Sequence, residues 1–160
     1  MRIKKIVFIV LALVIISVPI ILYYFGGSIP TQEYIYESNW DIDIPSDYKL
    51  IYNSQDKHDF QGKGYRYTIF TVKEIDNSAL ITLPKNTNKI QIYNGNSSDS
   101  INNDIEEFVQ TVASYVNISK GNEPEFEEYY LWQKLIKYGD TLVVIYFPNS
   151  NKVFFVEKLV

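Results

Sequence analysis

The chain has 160 residues, with 15 basic and 19 acidic side chains and no cysteine. Once an apolar N-terminal segment is set aside, this length suits one domain with a real core and is too short for two. The lack of cysteine excludes disulfides, thiol catalysis and a lipidated-cysteine anchor.

The first element is an uninterrupted apolar and aromatic run over residues 6–25, relieved only by Ser17 and Pro19. A helix of these 20 residues is about 30 Å long, which matches the hydrocarbon core of a bilayer. We therefore predict a single transmembrane helix. The remaining predicted boundaries are a basic stub at residues 1–5, a tether at 26–32 and a folded domain at 33–160.

The charges around this helix predict its orientation. Arg2, Lys4 and Lys5 precede it, and every acidic residue follows it. The positive-inside rule then places the N-terminus in the cytoplasm and the domain outside, at the cell membrane. The alternative is a signal peptide cleaved near Ser28, which would leave a secreted protein.

The predicted outer domain is acidic. All 19 acidic residues but only 12 of the 15 basic residues follow Gly27, which leaves a net charge of −7. Such a surface repels nucleic acid and anionic polymers. We expect no nucleic-acid partner, a membrane contact through residues 6–25, and a protein partner in the membrane or envelope.

The first predicted strand, at residues 48–52, is followed by the one segment that resembles a site. It contains the only histidine, two carboxylates and a Gly-x-Gly, and its candidate residues are Asp56, His58, Asp59, Phe60, Gly62 and Gly64. A metal site would use His58 with Asp56 and Asp59, but three or four good ligands are normally needed and no second histidine exists. A phosphate cradle at Gly62 and Gly64 lacks the longer motif and leads into a strand. We favour a solvated loop whose glycines permit positive φ in a tight turn or bulge.

The sequence after this loop predicts the remaining strands and helices, and with them the fold class. A second strand is expected at 65–73, one helical turn at 76–80 and a short extended piece at 89–93. An amphipathic helix follows at 102–116, with Asp99 or Ser100 as its cap and Gly121 just past its end. Residues 129–137, 141–147 and 152–158 then read as an antiparallel meander. The predicted fold class is α+β: a mostly antiparallel sheet with one main amphipathic helix packed on it, after the transmembrane helix.

Two further groups of residues have a functional and a structural interpretation. Glu123, Glu125, Glu127 and Glu128 can bind calcium or form a solvated acidic face, and we favour the solvated face. Six aromatic residues can form a recognition surface or belong to the core and its cross-strand pairs, and we favour the core. They are Tyr34, Tyr36, Trp40, Tyr129, Tyr130 and Trp132.

The loop and the C-terminal third carry a resemblance. Asp56, His58, Phe60, Gly62 and Gly64 match an Asp-Thr-His-Gly-Gly-Phe-x-Gly-Asp-Gly-like loop after deletion of one residue, and residues 141–146 and 153–157 resemble a Tyr- and Phe-rich hairpin. In this respect the chain resembles a family of small uncharacterised membrane-anchored proteins of Gram-positive bacteria. Asp59 replaces an expected glycine, and Lys63 replaces the aspartate between the last two glycines. The resemblance implies a membrane-linked α+β domain and no known activity.

These observations predict a non-enzymatic, membrane-anchored binding or accessory protein of the immunity type. We expect no cofactor and no catalytic or metal-ligating residue. The alternative is a cell-envelope hydrolase or metal-dependent enzyme centred on the His58 loop, which requires a concave pocket where His58 and its carboxylates converge.

Overall fold

A computed structural model of the chain describes residues 30–56, 63–73, 93–95 and 100–160, together with Ser17. The clustering of contacts divides the chain into residues 1–35 and residues 36–160, and the second unit contains the sheet. The predicted transmembrane helix at residues 6–25 lies, apart from Ser17, outside the described residues. Within the described part of the chain, no helix combines the length and the apolar character that crossing a membrane requires.

The described residues form two helices and six strands. They are α1 (Gln32–Trp40), β1 (Lys49–Gln55), β2 (Gly64–Thr71), β3 (Tyr93–Asn94), α2 (Ser100–Val116), β4 (Leu131–Lys137), β5 (Asp140–Phe147) and β6 (Lys152–Leu159). All six strands join one antiparallel sheet in the order β1-β2-β6-β5-β4-β3. The predicted α+β class, its meander and its main helix are therefore confirmed. The predicted helical turn at 76–80 lies outside the described residues.

Helix α1 was not predicted, because its sequence has no strong apolar stripe. Thr31 caps it, accepting a hydrogen bond from the Tyr34 N–H at 3.3 Å, which satisfies one of the donors that a helix start leaves free. Asp41, with φ 53°, follows its last residue in the left-handed conformation that commonly ends helices. From this helix Tyr36 and Trp40 are buried in the core of the second unit.

Helix α2 has the predicted amphipathic pattern. Ile105, Val109, Val112 and Val116 are buried, as the spacing of one apolar stripe requires. Its end differs from the prediction: Asn117 (φ 50°), and not Gly121, is the left-handed residue directly after the helix. The Ile118 N–H then donates to the Ala113 carbonyl at 3.3 Å, the backbone bond of a Schellman ending.

The sheet has a core on each face, because side chains alternate along every strand. Phe70, Val144 and Phe155 pack with α1 residues on one face. Ile69, Val143 and Phe154 pack with α2 residues on the other. Strand β5 is buried on both faces from Leu142 to Phe147, which confirms its predicted central place in the sheet.

Candidate functional site

The predicted loop site is described only at its two ends. His58, Asp59, Phe60 and Gly62 lie outside the described residues. The Asp56 N–H donates to the Tyr65 carbonyl at 3.0 Å, so the β1–β2 pairing continues to the base of the loop. Gly64 has φ 130°, a conformation that side chains rarely adopt. The predicted positive φ is therefore confirmed at Gly64.

A small cleft of about 90 Å³ lies at the base of this loop. Its lining includes Asp56, Lys63, Gly64 and Arg66. Clefts that enclose small-molecule ligands are usually several times larger, from about 300 Å³. The described end of the loop therefore adds no observation that favours the enzyme alternative.

A buried ionic network, which the sequence analysis missed, lies beside the cleft. Arg66 on β2 is paired directly with Glu157 on β6. Its Nη1 donates to Glu157 Oε2 at 2.7 Å, and the Trp40 indole N–H donates to Glu157 Oε1 at 2.7 Å. The Glu157 side chain is completely buried. The network therefore ties α1 to the sheet through a carboxylate that both partners stabilise.

The electrostatics of Glu157 reflect two opposed effects. Burial raises the pKa of Glu157, because a charged carboxylate loses hydration, while Arg66 and the Trp40 hydrogen bond act in the opposite direction. Burial prevails, so the pKa of Glu157 lies above its ordinary value. A shifted carboxylate is a common mark of catalytic sites, but both oxygens of Glu157 already accept bonds from the protein. This geometry fits a structural role, in which Glu157 joins Trp40 of α1 to Arg66 of β2.

This network was detectable in principle from the polar residues within otherwise apolar strands. Arg66 and Thr68 interrupt one apolar strand, and Glu157 follows the apolar run of residues 153–156 in another. Thr68 Oγ1 lies 2.9 Å from the Tyr36 hydroxyl and donates to Asn53 Oδ1 at 2.8 Å. Pairing these residues required the order of the strands, which the sequence does not give.

The described carboxylates do not form a metal site. No group of three or more histidine, cysteine or acidic residues in the described ranges is arranged to hold a metal ion. Glu123, Glu125 and Glu127 are exposed and Glu128 is half-buried. This exposure is what a solvated acidic face requires.

The aromatic residues divide between core and surface. Tyr36, Trp40, Tyr130 and Trp132 are buried, which confirms the core interpretation for these four. Tyr34 and Tyr129, by contrast, are exposed.

Three exposed apolar side chains lie at or beside the β4–β5 turn. Tyr138 is 95 % exposed and Ile136 is 68 % exposed. Val160, also exposed, lies against the turn: its N–H donates to Asp140 Oδ1 at 2.8 Å, and a Cβ placed on Gly139 would come within 2.9 Å of its Cγ2. We call Ile136, Tyr138 and Val160 the hairpin-tip surface.

The backbone of this turn is unusual for the residue it carries. Lys137 and Asp140 are paired across the hairpin, so Tyr138 and Gly139 form a two-residue turn. Their φ values of 55° and 97° correspond to the type I′ geometry that favours Asn-Gly. An exposed tyrosine therefore occupies a position where asparagine is less strained.

A groove of about 610 Å³ separates the C-terminal half of α2 from the chain that follows it. Its apolar wall contains Ala113, Ile118, Pro124 and Phe126. Its polar rim contains Gln110, Ser114, Asn117 and Glu123. We call this depression the α2 groove.

The fold and these surfaces define the class of the protein as a small α+β domain with a helix-covered antiparallel sheet. Comparisons of the chain with protein-family models, curated proteins and solved structures found no match.

Proposed function

We propose that the protein is a single-pass membrane-anchored extracytoplasmic binding domain, of an accessory or immunity type and without enzymatic activity. In this proposal residues 6–25 form the anchor and the hairpin-tip surface contacts a protein partner. The apolar run, the preceding basic residues and the acidic remainder of the chain support the anchor and its orientation.

The observation that carries the binding role is Tyr138. Its side chain is almost fully exposed and its backbone is left-handed. Burial of the ring therefore adds little to the stability of the fold, while the positive φ lowers that stability. Strained residues of this kind concentrate at functional sites. Exposed aromatic residues are also frequent energetic centres of protein interfaces. A partner that covers Tyr138 and Ile136 would supply the contacts that the isolated domain lacks.

Photo-crosslinking of the full chain in its native host tests this proposal. A benzophenone-bearing phenylalanine analogue is placed at position 136 or 138, and the matched control places it at the exposed Ser150 in the β5–β6 turn. We expect one dominant crosslinked protein from positions 136 and 138 and none of that size from 150. Equal crosslinking from all three positions, or none from the hairpin tip, would overturn the proposal.

The variant Tyr138→Asn separates binding from folding. Asparagine adopts positive φ more readily than tyrosine, so we expect the free energy of unfolding to rise by about 1 kcal/mol. The crosslink from position 136 should weaken in the same variant, because the aromatic contact is lost. A variant that is less stable, or that crosslinks as well as the parent chain, would contradict the assigned role of Tyr138.

A further inference from the structure

We propose that the α2 groove binds a cationic, amphipathic peptide segment of a partner protein. The inference rests on the proposed function in taking the partner to be a protein, but it concerns a different surface. The volume of about 610 Å³ lies within the range of natural ligand clefts. Half-buried Ala113, Ile118 and Phe126, which pack against the core, offer contact area to an apolar side chain.

The charge around the α2 groove determines which segment fits. Residues 117–128 contain four glutamates and one lysine. None of these glutamates has an ion-pair partner within the described ranges, and Glu123 stands on the rim of the groove. The 17-residue α2 also ends beside the groove, where the negative end of its dipole lies. The rim therefore attracts lysine or arginine side chains.

The nearby lysines do not neutralise the negative charge around the α2 groove. Lys152 shares a small cleft with Glu123, Glu125 and Glu128, beyond ion-pair distance. Lys120 is exposed in the turn before them.

Other occupants fit this groove less well. A second copy of the chain would bring another acidic domain, with a net charge of −7 after Gly27, and anionic lipid would meet the same repulsion. A neutral apolar ligand would leave the Glu123 carboxylate on the rim without a partner. A segment that alternates cationic and apolar side chains satisfies both the rim and the wall.

Three labelled hexapeptide amides test the proposal by fluorescence polarisation: alternating Lys–Leu, alternating Glu–Leu and alternating Lys–Ser. The protein is the full chain in phosphatidylcholine nanodiscs, and binding to empty nanodiscs is subtracted. We expect saturable binding of the Lys–Leu peptide, and added salt should weaken it. The other two peptides should bind at least about tenfold more weakly than the Lys–Leu peptide, because each lacks either the positive charge or the apolar contact. Equal binding of the Glu–Leu peptide, or no binding of the Lys–Leu peptide, would overturn the inference.

Two rim variants locate the binding site. Glu123→Gln removes the negative charge of the rim on the loop side. Ser114→Lys adds a positive charge on the exposed side of α2, which repels the lysines of the peptide. We expect each to weaken Lys–Leu binding about two- to fivefold, as for an exposed charge pair. Glu127→Gln is the matched control, since Glu127 is exposed and does not line the groove. An equal loss in Glu127→Gln would mean general attraction to an acidic protein and would overturn the site.

The two proposals fail separately. Tyr138→Asn should leave binding of the Lys–Leu peptide unchanged. Peptide binding without a hairpin-tip crosslink overturns only the proposed use of that surface. A crosslink without peptide binding overturns only the groove.

Discussion

At the scale of single residues, the stability of the core depends on both members of the Arg66–Glu157 ion pair. Arg66 keeps 15 % of its side-chain exposure, whereas Glu157 keeps none. A buried ion pair is not strongly stabilising by itself, because both charges lose hydration. Removal of only one partner is costly, however, since the other charge remains buried.

Substitution of Arg66 should reveal this asymmetry. We expect Arg66→Met to lower the free energy of unfolding by about 3–5 kcal/mol, because the buried Glu157 carboxylate then loses the cation that pairs with it. The double variant Arg66→Met/Glu157→Gln should lose less, since no unpaired charge is left. Urea unfolding of the full chain in detergent measures both. A double variant less stable than Arg66→Met would contradict this account.

The Glu157 carboxyl should also make the free energy of unfolding depend on pH. The pKa of Glu157 is raised by burial, so the folded state holds this proton to a higher pH than the unfolded chain. Its stabilising contribution is therefore present below the ordinary glutamate pKa and is lost as the pH rises through the raised value. Unfolding of the parent chain and of Glu157→Gln, compared from neutral pH down to about 4.5, measures the effect. The difference in stability should move in favour of the parent chain as the pH falls, and a constant difference would refute it.

At the scale of elements, α2 is fastened to the sheet at its first turn. Buried Asn102 accepts a hydrogen bond from the Trp132 indole N–H at 2.7 Å and donates to the Asn94 carbonyl at 3.2 Å. Four residues along the helix, Glu106 accepts a hydrogen bond from the Tyr130 hydroxyl at 2.7 Å. These bonds attach the first two turns of α2 to β3, to β4 and to the residue before β4, more specifically than its apolar stripe alone can do.

Two adjacent asparagines allow a controlled test of this attachment. Asn102→Ala leaves the buried Trp132 N–H without its acceptor, and we expect a loss of about 1–3 kcal/mol in the free energy of unfolding. The matched variant Asn103→Ala alters an exposed helical position and should change stability by less than about 0.5 kcal/mol. Tryptophan fluorescence during urea unfolding measures both. Equal losses would show that the Trp132 bond does not govern the effect.

At the scale of the whole molecule, the proposed anchor predicts the side of the membrane on which the domain lies. The chain has no cysteine, so single cysteines can be introduced without background. We expect Ser150→Cys to react with a membrane-impermeant maleimide in intact cells, and Lys5→Cys to react only after permeabilisation. The opposite pattern would reverse the topology, and a Ser150→Cys protein found in the medium would indicate cleavage of residues 6–25.

The sequence was sufficient for the elements whose own pattern is strong. The stripe of α2, the meander of β4 to β6 and the central place of β5 each follow from local periodicity or from a continuous apolar run. The left-handed Gly64 was likewise predicted from its residue type. Helix α1 was missed because its capping and its contacts through Tyr36 and Trp40, and not an apolar stripe, characterise it.

Of the predicted site, Asp56 and Gly64 are described, and the other four residues stay predictions. The buried ion pair and the α2 groove depend on contacts between distant parts of the chain. Arg66 and Glu157 are 91 positions apart, and the α2 groove forms only when residues 117–126 fold back along the helix. A sequence alone thus determined the composition, the apolar run and the periodic elements, because these depend on neighbouring residues. Only the tertiary structure decided the buried ion pair and the groove, because strand order and the return of loops set which distant side chains meet.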